Sequence, residues 1–330
     1  MKTCKVGVIG VGHLGSLHAK MFLQIPGVEL VGLLDTDTDR AAKIAKELKT
    51  RSFDTLDHLL ENVEAVSIAA TTSTHAMLAR RAIECGVHVF IEKPITSTIA
   101  EAQELIALAK DRGVKIQVGH IERFNPALLA LEKYDLRPMF VESHRLAQFN
   151  PRGTDVAVVL DLMIHDIDII ISLVHSPVAQ IEANGVAVVS DSIDIANARL
   201  QFENGCVANV TASRISQKKM RKMRLFQRDA YISVDFSEGS AEVFRLIDEG
   251  EGTAKSTMML GAIESGSRKR QIVYEQPDVV EVNALKYELE RFIEAVQNDL
   301  TPIVSGTDGL HALQVAHDII ERIKQQRISL

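Results

Sequence analysis

The chain has 330 residues, 46% hydrophobic and 25% charged, which is enough for two domains with substantial cores and ordinary for a globular protein. Its formal net charge of −7 argues against nucleic acid as the main partner, because phosphate binding wants a basic surface. No apolar run approaches the ~18 residues of a membrane span. The first residues carry too short an apolar stretch and no cleavage pattern for a secretory signal, so a cytoplasmic protein is expected.

In chain order, short β-rich runs at Lys5 to Ile9, Glu29 to Leu34, Ala65 to Ala69, Val87 to Ile91 and Lys115 to Val118 read as buried parallel strands. Helix-like stretches lie between them: Leu14 to Leu23, Arg40 to Leu48, His75 to Cys85 and Thr98 to Arg112. This alternation predicts a doubly wound parallel α/β sheet over residues 1–122. Residues 123–330 read as an α+β domain with an antiparallel sheet. A helix follows Asn125-Pro126, a strand lies near Met139 to Phe149, and one strongly apolar helix runs from Asp155 to Val174. Strands are expected at Ala179 to Val189, Ile195 to Phe202, Cys206 to Ile215, Met223 to Asp235, Ala241 to Ile247 and Gln271 to Glu275. Asp248 to Arg270, rich in Gly, Ser and charge, reads as a loop, and helices at Asn283 to Asn298 and Thr307 to Lys324 close the chain. Cys4, Cys85 and Cys206 lack metal-ligand or CxxC spacing, so buried, reduced thiols and no metal site are expected. Asn209-Val210-Thr211 has the form of a glycosylation sequon and reads as strand sequence.

Gly10-Val11-Gly12-His13-Leu14-Gly15 sits between a buried strand and a helix. There the glycines allow a tight turn and a close backbone approach to a pyrophosphate at the positive end of the helix, the Rossmann fingerprint. Asp35 ends the second strand, about 20 residues on, where a carboxylate accepts from ribose hydroxyls. It would repel a 2′-phosphate, so NAD is expected over NADP. The run Asp35 to Asp39 fails as a calcium loop, since Arg40 stands where Gly and Lys46 where Glu are needed. It reads as the ribose clamp plus a helix cap, with Arg40 over the adenine. Thr71, Thr72 and His75 lie at the carboxyl end of a strand, where such sheets bind ligands, although hydroxyl capping of the next helix fits them too.

Glu92-Lys93-Pro94 follows a buried Val-Phe-Ile run at the same sheet edge. Beside a cationic nicotinamide, Lys93 would lose some preference for its own charge and become useful for proton transfer. A surface lysine in a turn is the competing reading. Asp161, His165 and Asp168, spaced i, i+4 and i+7, share an arc of roughly 60° on a regular helix. A His flanked by carboxylates on an otherwise apolar helix suits a general base. A His–Asp pair satisfied inside a core is the other possibility.

Taken together, these motifs identify a resemblance. Gly10 to Gly15, Gly86 to Pro94, Gly119-His120-Ile121-Glu122-Arg123-Phe124-Asn125-Pro126 and Asp161-x-x-x-His165-x-x-Asp168 resemble, in this order, the glucose-fructose oxidoreductase / inositol dehydrogenase (Gfo/Idh/MocA) family. The resemblance spans nearly the whole chain and implies a Rossmann domain followed by an α+β domain with a large open sheet that mediates dimers or tetramers. It implies hydride transfer between a sugar or cyclitol CH–OH carbon and NAD. His165 is then the base, Lys93 polarises the reacting oxygen and shares or relays its proton, and Asp161 orients His165 or holds a neighbouring hydroxyl. The cofactor residues become Gly10, Gly12, His13, Leu14, Gly15, Asp35, Arg40, Thr71, Thr72, His75, Glu92 and Lys93. One departure is Thr72, where many members carry proline.

The stretch from Arg145 to Asp168 is similar to the branch that oxidises the 3-hydroxyl of UDP-N-acetylglucosamine for a later aminotransferase in lipid A or surface polysaccharide synthesis. Arg123, Arg145 and Arg152 suit a diphosphate, with Asn125 and Asp168 as further substrate contacts, although arginines serve equally in surface salt bridges. The basic run Lys218 to Arg224 reads as a solvated hairpin, an oligomer rim or a diphosphate contact. An inositol or free-sugar dehydrogenase, an imine or tetrapyrrole reductase, and a non-catalytic NAD-binding regulator remain as alternatives.

Overall fold

A computed structural model describes residues 3–150, 156–248, 257–265 and 268–327. By compactness the chain divides into two units, Met1–Phe124 with Asn283–Gln314, and Asn125–Val282 with Val315–Leu330.

The first unit is built on a parallel sheet. Among the described residues its strands are β1 (Cys4–Ile9), β2 (Val28–Leu34), β3 (Arg51–Ser52), β4 (Ala65–Ile68), β5 (His88–Glu92) and β6 (Ile116–Gly119), in the order β3-β2-β1-β4-β5-β6. The helices α1 (His13–Phe22), α2 (Thr38–Leu48), α3 (Leu56–Leu60), α4 (Thr72–Glu84) and α5 (Ile99–Arg112) alternate with them. The predicted strands and helices recur within a few residues. The two-residue β3 and five-residue α3 are too short to leave a periodic signal. Strand order reverses between β1 and β4, which opens a crevice at their carboxyl ends. Local chemistry sets the helix ends: α5 starts on a Thr98–Glu101 capping box and stops at Gly113, whose φ is 65°.

In the second unit, a 3-10 turn (Ile121–Phe124) having ended the first, come α6 (Pro126–Leu129), β7 (Phe140–Leu146), a π-helical turn (Val159–Met163) and α7 (Ile164–Val174). The strands β8 (Val178–Val186), β9 (Ile195–Phe202), β10 (Val207–Ser213), β11 (Met220–Phe226), β12 (Ala230–Asp235), β13 (Ser240–Asp248), β14 (Thr257–Ser265) and β15 (Arg268–Glu275) follow. The sheet order among the described residues is β14-β15-β13-β12-β11-β7-β10-β9-β8. Neighbours run antiparallel except β7 and β10, which are parallel. One face is apolar and buried, as Ala196, Ala198, Leu200 and Phe202 of β9 show. The opposite face carries a cross-strand row in register: Phe140, Phe226, Tyr231, Phe244, Tyr274 and Met258. The five rings lie 5.0–5.9 Å apart, centroid to centroid, along the row.

Three expectations change. Met223 to Asp235 is not one strand: polar Gln227-Arg228-Asp229 turns it into the β11–β12 hairpin, closed by the Gln227 N–H donating to the Ala230 carbonyl at 2.9 Å. Most of the expected loop from Asp248 to Arg270 is β14 and β15; residues 249–256 and 266–267 lie outside the described residues. The edge strand β14 exposes Met258, Met259, Leu260 and Ile263, an apolar run that the glycine and charge around it in the sequence obscured. Cys4 and Cys206 are buried free thiols as expected, but Cys85, just past α4, is exposed.

Two helices close the chain, α8 (Ala284–Gln297) and α9 (Gly306–Arg327). The single cut between residues 122 and 123 expected from sequence differs from this division. Leu289, Phe292 and Ile293 of α8 join Val6, Val8, Phe22, Leu33 and Phe90 in the first unit's core. The division falls again within α9, between Gln314 and Val315.

Candidate functional site

In the first unit, the glycine loop connects β1 to α1. Gly10 has φ 82°, and a Cβ there would meet the Ala69 carbonyl oxygen at 2.8 Å. A Cβ at Gly15 would lie 1.8 Å from the Gly10 carbonyl oxygen, so helix and loop meet only because Gly15 has no side chain. At Gly12 a Cβ would meet nothing within 4 Å: it would project into the open cradle over the helix end. The first turn of α1 holds no acidic residue, and Gly12 offers no side-chain cap, so its N–H groups suit an anion. His13 and Leu14 are exposed beside this cradle.

Asp35 supports the same loop. Its Oδ2 accepts the Val11 N–H at 2.7 Å, and its Oδ1 accepts the Asp37 N–H at 2.9 Å. Arg40 donates to both oxygens, at 2.6 and 3.3 Å. Burial opposes the charge on Asp35, but the Arg40 contact and the two N–H groups outweigh it and hold the carboxyl below its ordinary value. Arg40 is thus committed to Asp35 and Asp37, and Asp37 caps α2 as expected. Gly10, Gly12, Asp35, Thr36, Arg40, Ala70, Thr71 and Met77 help line a cavity of about 390 Å³. A fused purine-ribose fits this volume and chemistry.

Thr71 precedes α4 without a side-chain capping bond, and Thr72 is half-buried at the first helical position. His75 is buried, with Nδ1 3.0 Å from the Pro94 carbonyl oxygen and Nε2 3.1 Å from that of Ala70. It ties two ligand-edge turns together, and burial pushes its pKa down against those carbonyls.

At the end of β5, Glu92 meets His18, which in turn meets Ser67, two residues that the sequence reading passed over. His18 of α1 places Nε2 3.0 Å from Glu92 Oε1, and its Nδ1 lies 2.7 Å from Ser67 Oγ of β4. Glu92 Oε2 accepts the main-chain N–H of half-buried Lys93 at 3.2 Å. Burial pushes the Glu92 carboxyl up, but His18 and Lys93 outweigh it and hold it below the ordinary value. A signal existed: a serine inside the buried run Ala65 to Ile68, and a histidine on the buried face of α1 with Gly15 and Phe22.

In the same unit, Arg123 is largely buried, with Nη2 3.9 Å from Asp308. In the second unit, Asn125 caps α6 through Oδ1 and donates from Nδ2 to the Phe236 carbonyl at 3.1 Å. The helix carrying Asp161 differs from the regular one expected. Val159–Met163 is π-helical, so the even angular steps assumed for Asp161, His165 and Asp168 do not hold across Asp161. Asp161 and His165 are half-buried, whereas Asp168 is buried, 1% exposed. Arg214, also missed, donates to the Val156 carbonyl, and the Val158 N–H donates to the Ile193 carbonyl at 2.9 Å, which fixes the start of this turn.

Arg145, expected at a diphosphate, lies on the buried face of β7 and grips Asp166 of α7 through two 2.9 Å bonds. Arg152 lies outside the described residues. In the basic run, Lys222 pairs with Asp235 at 3.0 Å and Arg224 with Glu142 at 3.4 Å, both across neighbouring strands. Among the described residues no group of three or more His, Cys, Asp or Glu is placed to hold a metal, and no helix is long and apolar enough to cross a membrane.

An open pyrophosphate cradle, a ribose-side carboxylate and a purine-sized cavity on a doubly wound sheet fit NAD. With the second unit's large mixed sheet, they define a two-unit NAD-binding oxidoreductase. Residues 4–120 match the model of an oxidoreductase family with an NAD-binding Rossmann fold, and residues 139–330 match that family's C-terminal alpha/beta domain. The chain belongs to this family, Gfo/Idh/MocA. It is 38% identical over 313 residues to a UDP-N-acetylglucosamine 3-dehydrogenase of Acidithiobacillus ferrooxidans, spanning 94% of this chain and 95% of that protein. A solved structure of the UDP-N-acetylglucosamine 3-dehydrogenase from that organism superposes with a TM-score of 0.88 at 36% identity, covering 98% of this chain and 99% of the other. A scyllo-inositol 2-dehydrogenase (NAD(+)) of Bacillus subtilis is 28% identical over 330 residues, with 94% and 91% of the two chains covered.

Proposed function

We propose that this enzyme oxidises the 3-hydroxyl of a UDP-N-acetylhexosamine to a ketone. The observation that carries this is the 38% identity, spanning 94% of this chain, to an enzyme named for that reaction. Bound NAD supplies the hydride acceptor. Lys93 donates a hydrogen bond to the substrate oxygen, His165 takes the hydroxyl proton as hydride leaves the carbon, and Asp161 holds His165 in orientation. Gly12, Asp35 and the first turn of α1 hold the dinucleotide. Of the three arginines expected at the diphosphate, Arg123 remains the candidate, since Arg145 is committed to Asp166 and Arg152 lies outside the described residues.

The product ketone suits a PLP-dependent aminotransferase, which places the reaction in cytoplasmic synthesis of 3-amino sugars for lipid A or surface polysaccharide. The chain works as a homodimer or homotetramer joined through the aromatic row of its large sheet. In support, Phe226 is 36% and Met258 60% exposed, and a contiguous apolar strip of this kind is a common interface.

NADH formation is followed over a panel of UDP-sugars, free sugars and inositols, and the ketone is identified by mass spectrometry. Turnover of UDP-N-acetylglucosamine supports the reading; turnover of inositols with no UDP-sugar oxidised overturns it. Lys93→Ala and His165→Ala each lower turnover by roughly a hundredfold or more while NAD still binds. Unchanged turnover in both removes the catalytic assignment. Light scattering reads the oligomeric state, and a monomer at micromolar concentration refutes the assembly.

A further inference from the structure

Behind Lys93 lies a buried chain of polar groups that substrate does not need to touch. Ser67 Oγ meets His18 Nδ1 at 2.7 Å, His18 Nε2 meets Glu92 Oε1 at 3.0 Å, and Glu92 Oε2 accepts the Lys93 N–H at 3.2 Å. His18 and Ser67 are both 0% exposed. Polar groups are costly in such a position unless each has a partner. The packing around them is also specific. The His18 ring stands edge-on to Phe90, centroids 5.4 Å apart, and Phe90 meets Phe292 of α8 in turn. A Cβ at Gly119 of β6 would lie 3.0 Å from the Glu92 carboxylate, so that strand leaves room for this one side chain.

The direction of one bond follows from chemistry. An ionised carboxylate only accepts, so a hydrogen on His18 Nε2 is what makes its 3.0 Å contact with Glu92 favourable. Ser67 anchors the other ring nitrogen and fixes the plane of the imidazole. Glu92 is thereby held in one orientation, bridging a histidine N–H and the main chain of Lys93. The positive charge of Lys93 in turn favours the ionised form of Glu92. Among the described residues, the other buried ionisable groups on adjoining elements include His75 of α4, which feels the Glu92 charge, Cys4 of β1, Glu288 of α8, and His120 and Glu122 just after β6.

We propose that His18, backed by Ser67, is a positioning residue: it locks Glu92 as an anion beside Lys93, and this fixed charge keeps the Lys93 side chain protonated and able to donate to the substrate oxygen. The role rests on the reading that Lys93 polarises that oxygen. Nearby opposite charge favours the ammonium, so loss of the lock lets Lys93 give up its proton at lower pH.

The test is the pH profile of kcat/KM in the full-length enzyme. His18→Leu moves the alkaline limb down by about one pH unit and lowers kcat, while the dissociation constant for NAD stays within about threefold. His18→Gln, whose amide nitrogen reaches the position of Nε2, restores most of the limb. Ser67→Ala, a small change in a site that His18→Leu could unfold, gives a smaller shift in the same direction. Nitrogen-15 spectra of the His18 ring show Nε2 protonated in the wild type. The inference is overturned by a limb unmoved in folded His18→Leu or Ser67→Ala, by Gln performing no better than Leu, or by an Nε2 without hydrogen. Lys93→Met separates the two layers of reasoning. If the alkaline limb persists in that variant, the role of Lys93 falls and this proposal with it. If the limb vanishes there but stays in place in the His18 variants, only the positioning role fails.

Discussion

Replacing Asp166 with leucine leaves the Arg145 guanidinium buried without its carboxylate. The pair is 2% and 6% exposed at its two side chains and is held by two 2.9 Å hydrogen bonds, one to each carboxylate oxygen. Removing one partner of such a pair costs about 3–5 kcal/mol, because the survivor keeps its desolvation penalty without its compensation. At about 2–4 °C per kcal/mol for a unit of this size, the melting temperature falls by roughly 6–20 °C. Arg145→Met falls by a similar amount, but Arg145→Met/Asp166→Leu recovers most of the loss, since apolar residues of similar volume replace a buried pair at little net cost. Calorimetry on the four proteins closes a double-mutant cycle with a coupling of about 5 kcal/mol or more, the two single losses less the small residual loss of the double variant. Below the melting range, the KM for the nucleotide sugar stays within about threefold of wild type. Additive losses would refute the coupling. An Arg145→Met enzyme with unchanged melting and a hundredfold higher KM would show that this arginine binds substrate after all.

Gly12→Ala and Gly15→Ala separate two uses of glycine: Gly12→Ala melts like wild type but binds NAD at least about tenfold more weakly by titration calorimetry, whereas Gly15→Ala loses stability outright, since its Cβ would collide with the Gly10 carbonyl. Asp194 accepts three main-chain N–H groups and the Ser190 hydroxyl, which outweigh burial and hold its carboxyl far below the ordinary 3.8. A depressed folded value means stabilisation that is complete above the unfolded value and lost as pH falls through the folded one. The melting gap between wild type and Asp194→Asn is therefore full at neutral pH and narrows below about pH 4; a gap independent of pH down to acid would contradict this. Under native conditions, maleimide followed by peptide mapping labels Cys85 alone, because Cys4 and Cys206 are buried and burial pushes the Cys206 thiol up to about 11.

Much of this was legible before any coordinates. The strand runs of the first unit, the glycine loop and Asp35 carry signals confined to a few adjacent residues, and the structure sets them where that local chemistry requires. The features that were not legible depend on partners distant in sequence. Arg145 reads like a phosphate ligand until Asp166, 21 residues on, turns out to meet it from helix α7. His18 and Ser67 are separated by 49 residues and look like ordinary positions until β4 and α1 pack together. The π-turn at Asp161 escaped because periodicity assumes one pitch throughout. The cross-strand aromatic row draws on five strands, each contributing a single ring.

The lateness of α8 has a consequence for synthesis. The nucleotide-binding unit begins at the first strand, yet Phe292 must reach Phe90, whose ring lies 5.8 Å away in the finished core. Between the two lie about two hundred residues of chain, which at ~5–20 residues per second take roughly 10–40 seconds to make. For that interval a nascent chain holds its parallel sheet with one apolar wall missing. Chains stalled or cleaved before α8 would carry that bare wall permanently, a mark by which quality control can tell an unfinished copy from a complete one.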